Sequence, residues 1–169
     1  MQNSINKRGS EKMFGSISTE KHPVELRIFP NQKYGDVGHE DVKERLNYLF
    51  GTRGNTLLNR NGVYRVHTVL PVNRMKVGTI ALFRYEDRIL GEGKISQEVR
   101  YLESSNPYYH PKMEGYLVFD TNSLYPYSNE PAIKELWEIT GKFPGLRNSW
   151  TRFNLRFLSE IRKVGGLDI

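Results

Sequence analysis

Two apolar stretches of strand length, residues 78–85 and 88–95, stand either side of one polar pair, Glu86 and Asp87. A connection of two residues allows antiparallel pairing only, because parallel neighbours need a crossover of about a dozen residues or more. The pair is neither Asn-Gly nor Asp-Gly, so the hairpin is predicted from the flanking apolar runs rather than from turn chemistry. Residues 63–70 and 115–120 add two further strand patterns. Upstream, Val24, Leu26 and Ile28 alternate with Glu25, Arg27 and Phe29, the period-two signature of a half-buried strand, and Pro30 and Asn31 stop it.

Helical spacing occurs in fewer places. Val42, Leu46, Leu49 and Phe50 predict an amphipathic helix over 39–50, ended by Gly51. A second helix is expected from Ser128 or Asn129, with Pro131 in its first turn, Ile133, Leu136 and Trp137 as its apolar face and Gly141 as its stop. Near the C-terminus Phe153, Leu155 and Phe157 alternate like a strand, while Phe153, Phe157, Leu158 and Ile161 fit a helix; a strand turning into a short helix near Ser159 reconciles them. The expected fold is therefore α+β: a strongly curved, mainly antiparallel sheet, or a pseudobarrel, flanked by two or three short helices. Residues 1–22 carry only scattered apolar side chains and read as a flexible tail, leaving 23–169 as one domain.

Composition bears on the partner. With 25 Lys and Arg against 19 Asp and Glu, the net charge is +6, which favours polyanions through counterion release. The 169 residues include no cysteine, which excludes disulfides, a thiol nucleophile and thiolate zinc sites. No apolar run reaches the roughly 18 to 20 residues of a membrane span, and the first residues lack the apolar core of a secretory signal. A cytoplasmic protein without membrane contact is expected.

The run 75–95, with Lys76, Val77, Gly78 and Thr79 at a turn, 80–85 as a strand and 89–95 as its return, resembles the PUA-like superfamily, in particular its EVE and ASCH branches. Thr79 stands where EVE-like domains carry an acidic residue. The resemblance implies a pseudobarrel that grips nucleic acid and, as in the EVE and YTH branches, receives one modified base in an aromatic pocket. It also implies the setting of modification-dependent restriction, with a nuclease or NTPase as partner or fused domain.

The residues themselves offer candidates for such binding. Residues 142–156 interleave Lys142, Arg147, Arg152 and Arg156 with Trp150 and the polar Asn148, Ser149 and Asn154, combining phosphate-binding cations with a stacking ring. If 151–157 is a strand, Arg152, Asn154 and Arg156 share one face as a cationic row; the plainer reading is a solvated strand face beside a core tryptophan. Tyr108, Tyr109 and His110 lie in a loop stiffened by Pro107 and Pro111, suited to a stacking wall or to packing on the sheet. Tyr125 and Tyr127 pose the same choice. Arg53 and Arg60 belong to a polar loop able to follow a phosphate backbone. DNA rather than RNA is the expected partner, and no cofactor is implied.

Two other classes compete. Glu92-Gly93-Lys94 has the Glu-x-Lys form of a metal-dependent nuclease, which needs a second carboxylate; Asp41 is available, whereas Asp87 sits too close across a turn. The four histidines show no ligand spacing, and no nucleotide-binding loop or nucleophile elbow is present. The other alternative is a basic protein-interaction module.

Overall fold

The computed structural model describes residues 22–31, 63–66, 75–101, 103–105, 115–146 and 150–169. Outside them lie residues 1–21 of the expected tail, the expected helix at 39–50, the loop at 51–62 and residues 67–70 of the second expected strand. The strands are β1 (Leu26–Asn31), β2 (Val63–Val66), β3 (Ile80–Tyr85), β4 (Arg88–Tyr101), β5 (Gly115–Phe119), β6 (Tyr125–Pro126) and β7 (Arg152–Phe153). The helices are α1 (Ile133–Thr140) and α2 (Leu158–Val164).

The predicted hairpin is the centre of the sheet. Tyr85 of β3 pairs with Arg88 of β4 across Glu86 and Asp87. Glu86 takes a φ of 51°, a left-handed conformation unusual for a long side chain, and its carbonyl accepts a 2.6 Å hydrogen bond from Arg84 Nε. Burial on either side outweighs this local strain: every residue of β3 is buried. Strand β4 runs well beyond the predicted Ile95. Its first half pairs with β3, its second half with β5, and Gly91 and Glu92 pair with β6. Register shifts interrupt the regular ladder on both pairings, between Phe83 and Arg84 on β3 and between Ile95 and Arg100 on β4.

The sheet order is β2-β5-β4-β3-β1-β7, with β6 alongside β4. All pairings are antiparallel except β1 with β3, which the sequence did not announce; Pro30 and Asn31, expected to stop β1, lie within it and face Arg84 and Tyr85 in register. The expected antiparallel α+β architecture is present. Closure into a pseudobarrel is not: among the described residues β2 and β7 end the path and do not pair, so the sheet is open.

Period-two alternation sends apolar side chains to both faces. On one face Leu26, Ile28, Ile80, Leu82 and Ile89 pack with Leu136 of α1 and Leu158 and Ile161 of α2. On the other, Phe29, Phe83 and Phe119 form a three-ring cluster with centroids 5.3–6.0 Å apart. Phe29 is therefore buried, and β1 is covered on both faces at that point rather than half-buried.

Two glycines set the geometry. Gly78 has a φ of 94°, and a Cβ there would lie 3.1 Å from the His22 carbonyl oxygen. Its own carbonyl accepts from Val24 N–H at 3.2 Å and its N–H donates to Ile95 at 2.8 Å, so it ties the approach to β1 onto the hairpin. Gly93 acts through its size. A Cβ would stand 2.6 Å from Leu124 Cδ2 and 3.0 Å from Phe119 Cδ1, so any side chain must push the Leu124 methyl aside and press on the Phe119 ring.

Candidate functional site

The C-terminal cationic row is not a strand face. β7 has two residues: Phe153 pairs with Leu26 and is buried, while Arg152 projects outward with Nη1 3.4 Å from Glu25 Oε1. Asn154 then accepts a 3.0 Å hydrogen bond from Arg156 N–H and starts a 3-10 turn over Leu155–Phe157. A side chain that caps its own backbone competes with strand pairing, and here it prevails. Arg156 is rotated away and lies 4.6 Å from the Phe157 ring centroid. Arg152, Asn154 and Arg156 are all exposed but form no common row, and the chain enters α2 at Leu158, one residue before the expected switch.

The two tryptophans lie in different settings. Trp150, the candidate stacking ring, is half-buried against the phenylalanine core, edge-on to Phe29 at 4.7 Å. Trp137, expected in the apolar face of the second helix, is 49% exposed. That helix starts later than predicted. Ser128 Oγ donates to the Gly166 carbonyl and Asn129 Nδ2 to that of Val164, so both expected caps are spent on the end of α2. From Ile133 the buried stripe is Ile133, Leu136 and Ile139. At about 100° per residue Trp137 falls on its flank.

Gly141 ends α1 as predicted, in the left-handed conformation at a φ of 64°. The reversal brings Phe143, 52% exposed, to 5.2 Å from Trp137 at an interplanar angle of 66°. The following loop is held from three sides. Lys142 Nζ donates to the Arg152 carbonyl at 2.7 Å, Thr151 Oγ1 to that of Pro144 at 2.6 Å, and Arg84 Nη1 to those of Gly145 and Leu146 at 3.1 Å each. Arg84 is itself buried, so the loop is anchored into the sheet. Leu146 is 77% exposed. The result is an exposed aromatic pair, Trp137 and Phe143, with Lys142 next to Phe143 in the chain and the exposed Leu146 three residues further on, while the Arg152 guanidinium is directed to Glu25. Exposed aromatic side chains grouped in this way make the surface a candidate for interaction.

The Glu-x-Lys triplet is built differently from a metal site. Glu92 is 1% exposed and faces the helices. Arg162 donates to it through Nη2 at 2.6 Å and Nε at 2.9 and 3.2 Å, and Tyr127 OH at 2.7 Å. Lys94 Nζ lies 3.8 Å from Asp120. Among the described residues no group of three His, Asp or Glu side chains is placed to hold a metal ion. Burial first, then the charge and hydrogen bond of Glu92, pushes the Tyr127 hydroxyl well above its ordinary pKa, against a smaller opposing pull from Arg162. Tyr127 is thus a core residue, and Tyr125 is half-buried on β6.

Burial alone would raise the Glu25 carboxyl, but Arg27 at 2.9 Å and then Arg152 outweigh it and hold it below the usual carboxylate range. Beside α2 an open cavity of about 450 Å³ is lined by Leu155, Leu158, Arg162, Lys163, Leu167 and Ile169, among others.

Several sequence candidates lie outside the described residues: Arg53, Arg60, Tyr108, Tyr109, His110, Arg147, Asn148, Ser149 and the carboxylate Asp41. The Trp137–Phe143 pair was missed because Ile139 was left out of the helical stripe; including it turns the buried face away from Trp137. No protein-family model matches the chain, and no curated protein matches it either.

Proposed function

We propose that this protein is a nucleic-acid-binding module, with DNA rather than RNA as its partner. The observation that carries the reading is the exposed Trp137–Phe143 pair beside Lys142 and Arg152. Rings of this kind stack on bases and cations neutralise phosphates, the two elements that sequence-tolerant nucleic-acid binding requires. A net charge of +6 supports it by favouring encounter with a polyanion. In this reading base stacking takes place at Trp137 and Phe143, because Trp150 is engaged with Phe29. The PUA-like relationship of the 75–95 hairpin, recognition of a modified base, a nuclease or NTPase partner and a cytoplasmic setting belong to the same proposal.

The test is binding of a labelled oligonucleotide across a salt series. The logarithm of affinity falls linearly with the logarithm of salt concentration. In the Lys142→Gln/Arg152→Gln variant the slope shrinks by about 1.4 to 1.8, the share of two phosphate contacts. A slope that the double variant leaves unchanged moves the phosphate contacts elsewhere, and no binding at low salt refutes the proposal in favour of a basic protein-interaction surface.

A further inference from the structure

Resting on the nucleic-acid reading, we infer that the Trp137–Phe143 surface selects unpaired bases, so that the ligand is a single strand rather than a duplex. The two rings stand at 66° with centroids 5.2 Å apart. The two ring planes therefore point in different directions, and each side chain is about half exposed. Each face accepts one flat aromatic ligand, and a strand that uses both must turn between successive bases. Bases inside a duplex are stacked on both sides and are closed to such a surface, whereas a single strand supplies free faces and a backbone able to bend.

The surroundings suit this ligand better than a closed base pocket. Both rings are about half exposed, at 49% and 52%, and Leu146 beside them at 77%. They form an open platform, so that any recognition of a modified base here takes place by stacking on an exposed ring rather than by enclosure. The cations are local as well. Lys142 directly precedes Phe143, and its ammonium group donates to the Arg152 carbonyl at 2.7 Å. The Lys142 charge is thus carried on the residue next to Phe143, and the exposed Arg152, whose guanidinium lies 3.4 Å from Glu25, is the second cation offered to the phosphates of a stacked strand. The loop is fixed by Arg84 and Thr151, so little order is lost on binding.

The experiment uses a labelled single-stranded 15-mer of DNA, its RNA counterpart and the matching DNA duplex, followed by anisotropy. Native protein is compared with Phe143→Ala and with Lys142→Gln/Arg152→Gln. Phe143 is exposed, and circular dichroism checks that its replacement leaves the fold intact. The expected result is tighter binding of the single strands than of the duplex, with Phe143→Ala weakening the single strands on the order of tenfold. Duplex binding stays unchanged in that variant. DNA and RNA strands that bind alike identify the unpaired base as the shared determinant, and a preference for one adds a sugar contact to it.

A second readout is spectroscopic. The chain has two tryptophans, so Trp150→Phe leaves Trp137 as the sole indole emitter, and stacking of a base quenches it. Equal binding of duplex and single strand, untouched by Phe143→Ala but weakened by the charge variant, overturns the single-strand inference and leaves the nucleic-acid reading standing. Single-strand binding without quenching of Trp137 also overturns it. Failure to bind any of the three oligonucleotides overturns both.

Discussion

Replacing Arg162 by Leu removes the partner of a carboxylate that has no route to water. Glu92 is 1% exposed, and two of its closest hydrogen bonds, at 2.6 and 2.9 Å, come from Arg162. Only the 2.7 Å bond from Tyr127 OH survives the change. Breaking a buried pair from one side costs about 3 to 5 kcal/mol. The Arg162 side chain is 22% exposed, so water reaches part of the vacated space and the lower end, about 3 kcal/mol, applies. For a chain of this size that lowers the melting temperature by about 6 to 12 °C.

The assay is urea unfolding of native protein, Arg162→Leu, Glu92→Gln and the double variant. Neutralising Glu92 removes the stranded charge, so the double variant loses about 2 kcal/mol less than the sum of the single changes. A loss below about 1 kcal/mol in Arg162→Leu, or additivity within about 0.5 kcal/mol, refutes the argument. The same proteins address the nuclease alternative. If magnesium raises the melting temperature of the native chain and not of Glu92→Gln, Glu92 is a metal ligand rather than the anchor of α2.

Gly93→Ala drives a Cβ against Leu124 and Phe119 and is expected to lower stability in urea unfolding by about 1 to 3 kcal/mol, with β4 exchanging its amide protons faster. Arg84→Leu removes the bonds to the Gly145 and Leu146 carbonyls; limited proteolysis within 142–146 should accelerate, and an unchanged rate would show that this segment is held without it. Glu25 has a folded pKa below 4.5, so its contribution is present above the unfolded value and lost as pH falls through the folded one. Glu25→Gln should therefore flatten the stability profile below about pH 4.5. Tyr127 has the opposite sign: its folded pKa is raised, so stability is lost as pH climbs beyond 10, and ultraviolet titration should show one tyrosine ionising last.

Local pattern by itself determined the hairpin of β3 and β4, the strands β1 and β5, the stop of α1 at Gly141 and the switch from strand to helix near Leu158. These follow from side-chain periodicity and from backbone conformations that only certain residues tolerate, both of which act over a few neighbours. Tertiary structure alone decided the parallel pairing of β1 with β3, because register between distant strands depends on which faces are buried together. It decided the fate of Glu92 as well, since Arg162 and Tyr127 are 70 and 35 residues away along the chain. The setting of each tryptophan belongs to the same category. The exposure of Trp137 depends on which face of α1 the sheet covers, and the burial of Trp150 on the segment before β7 lying against Phe29.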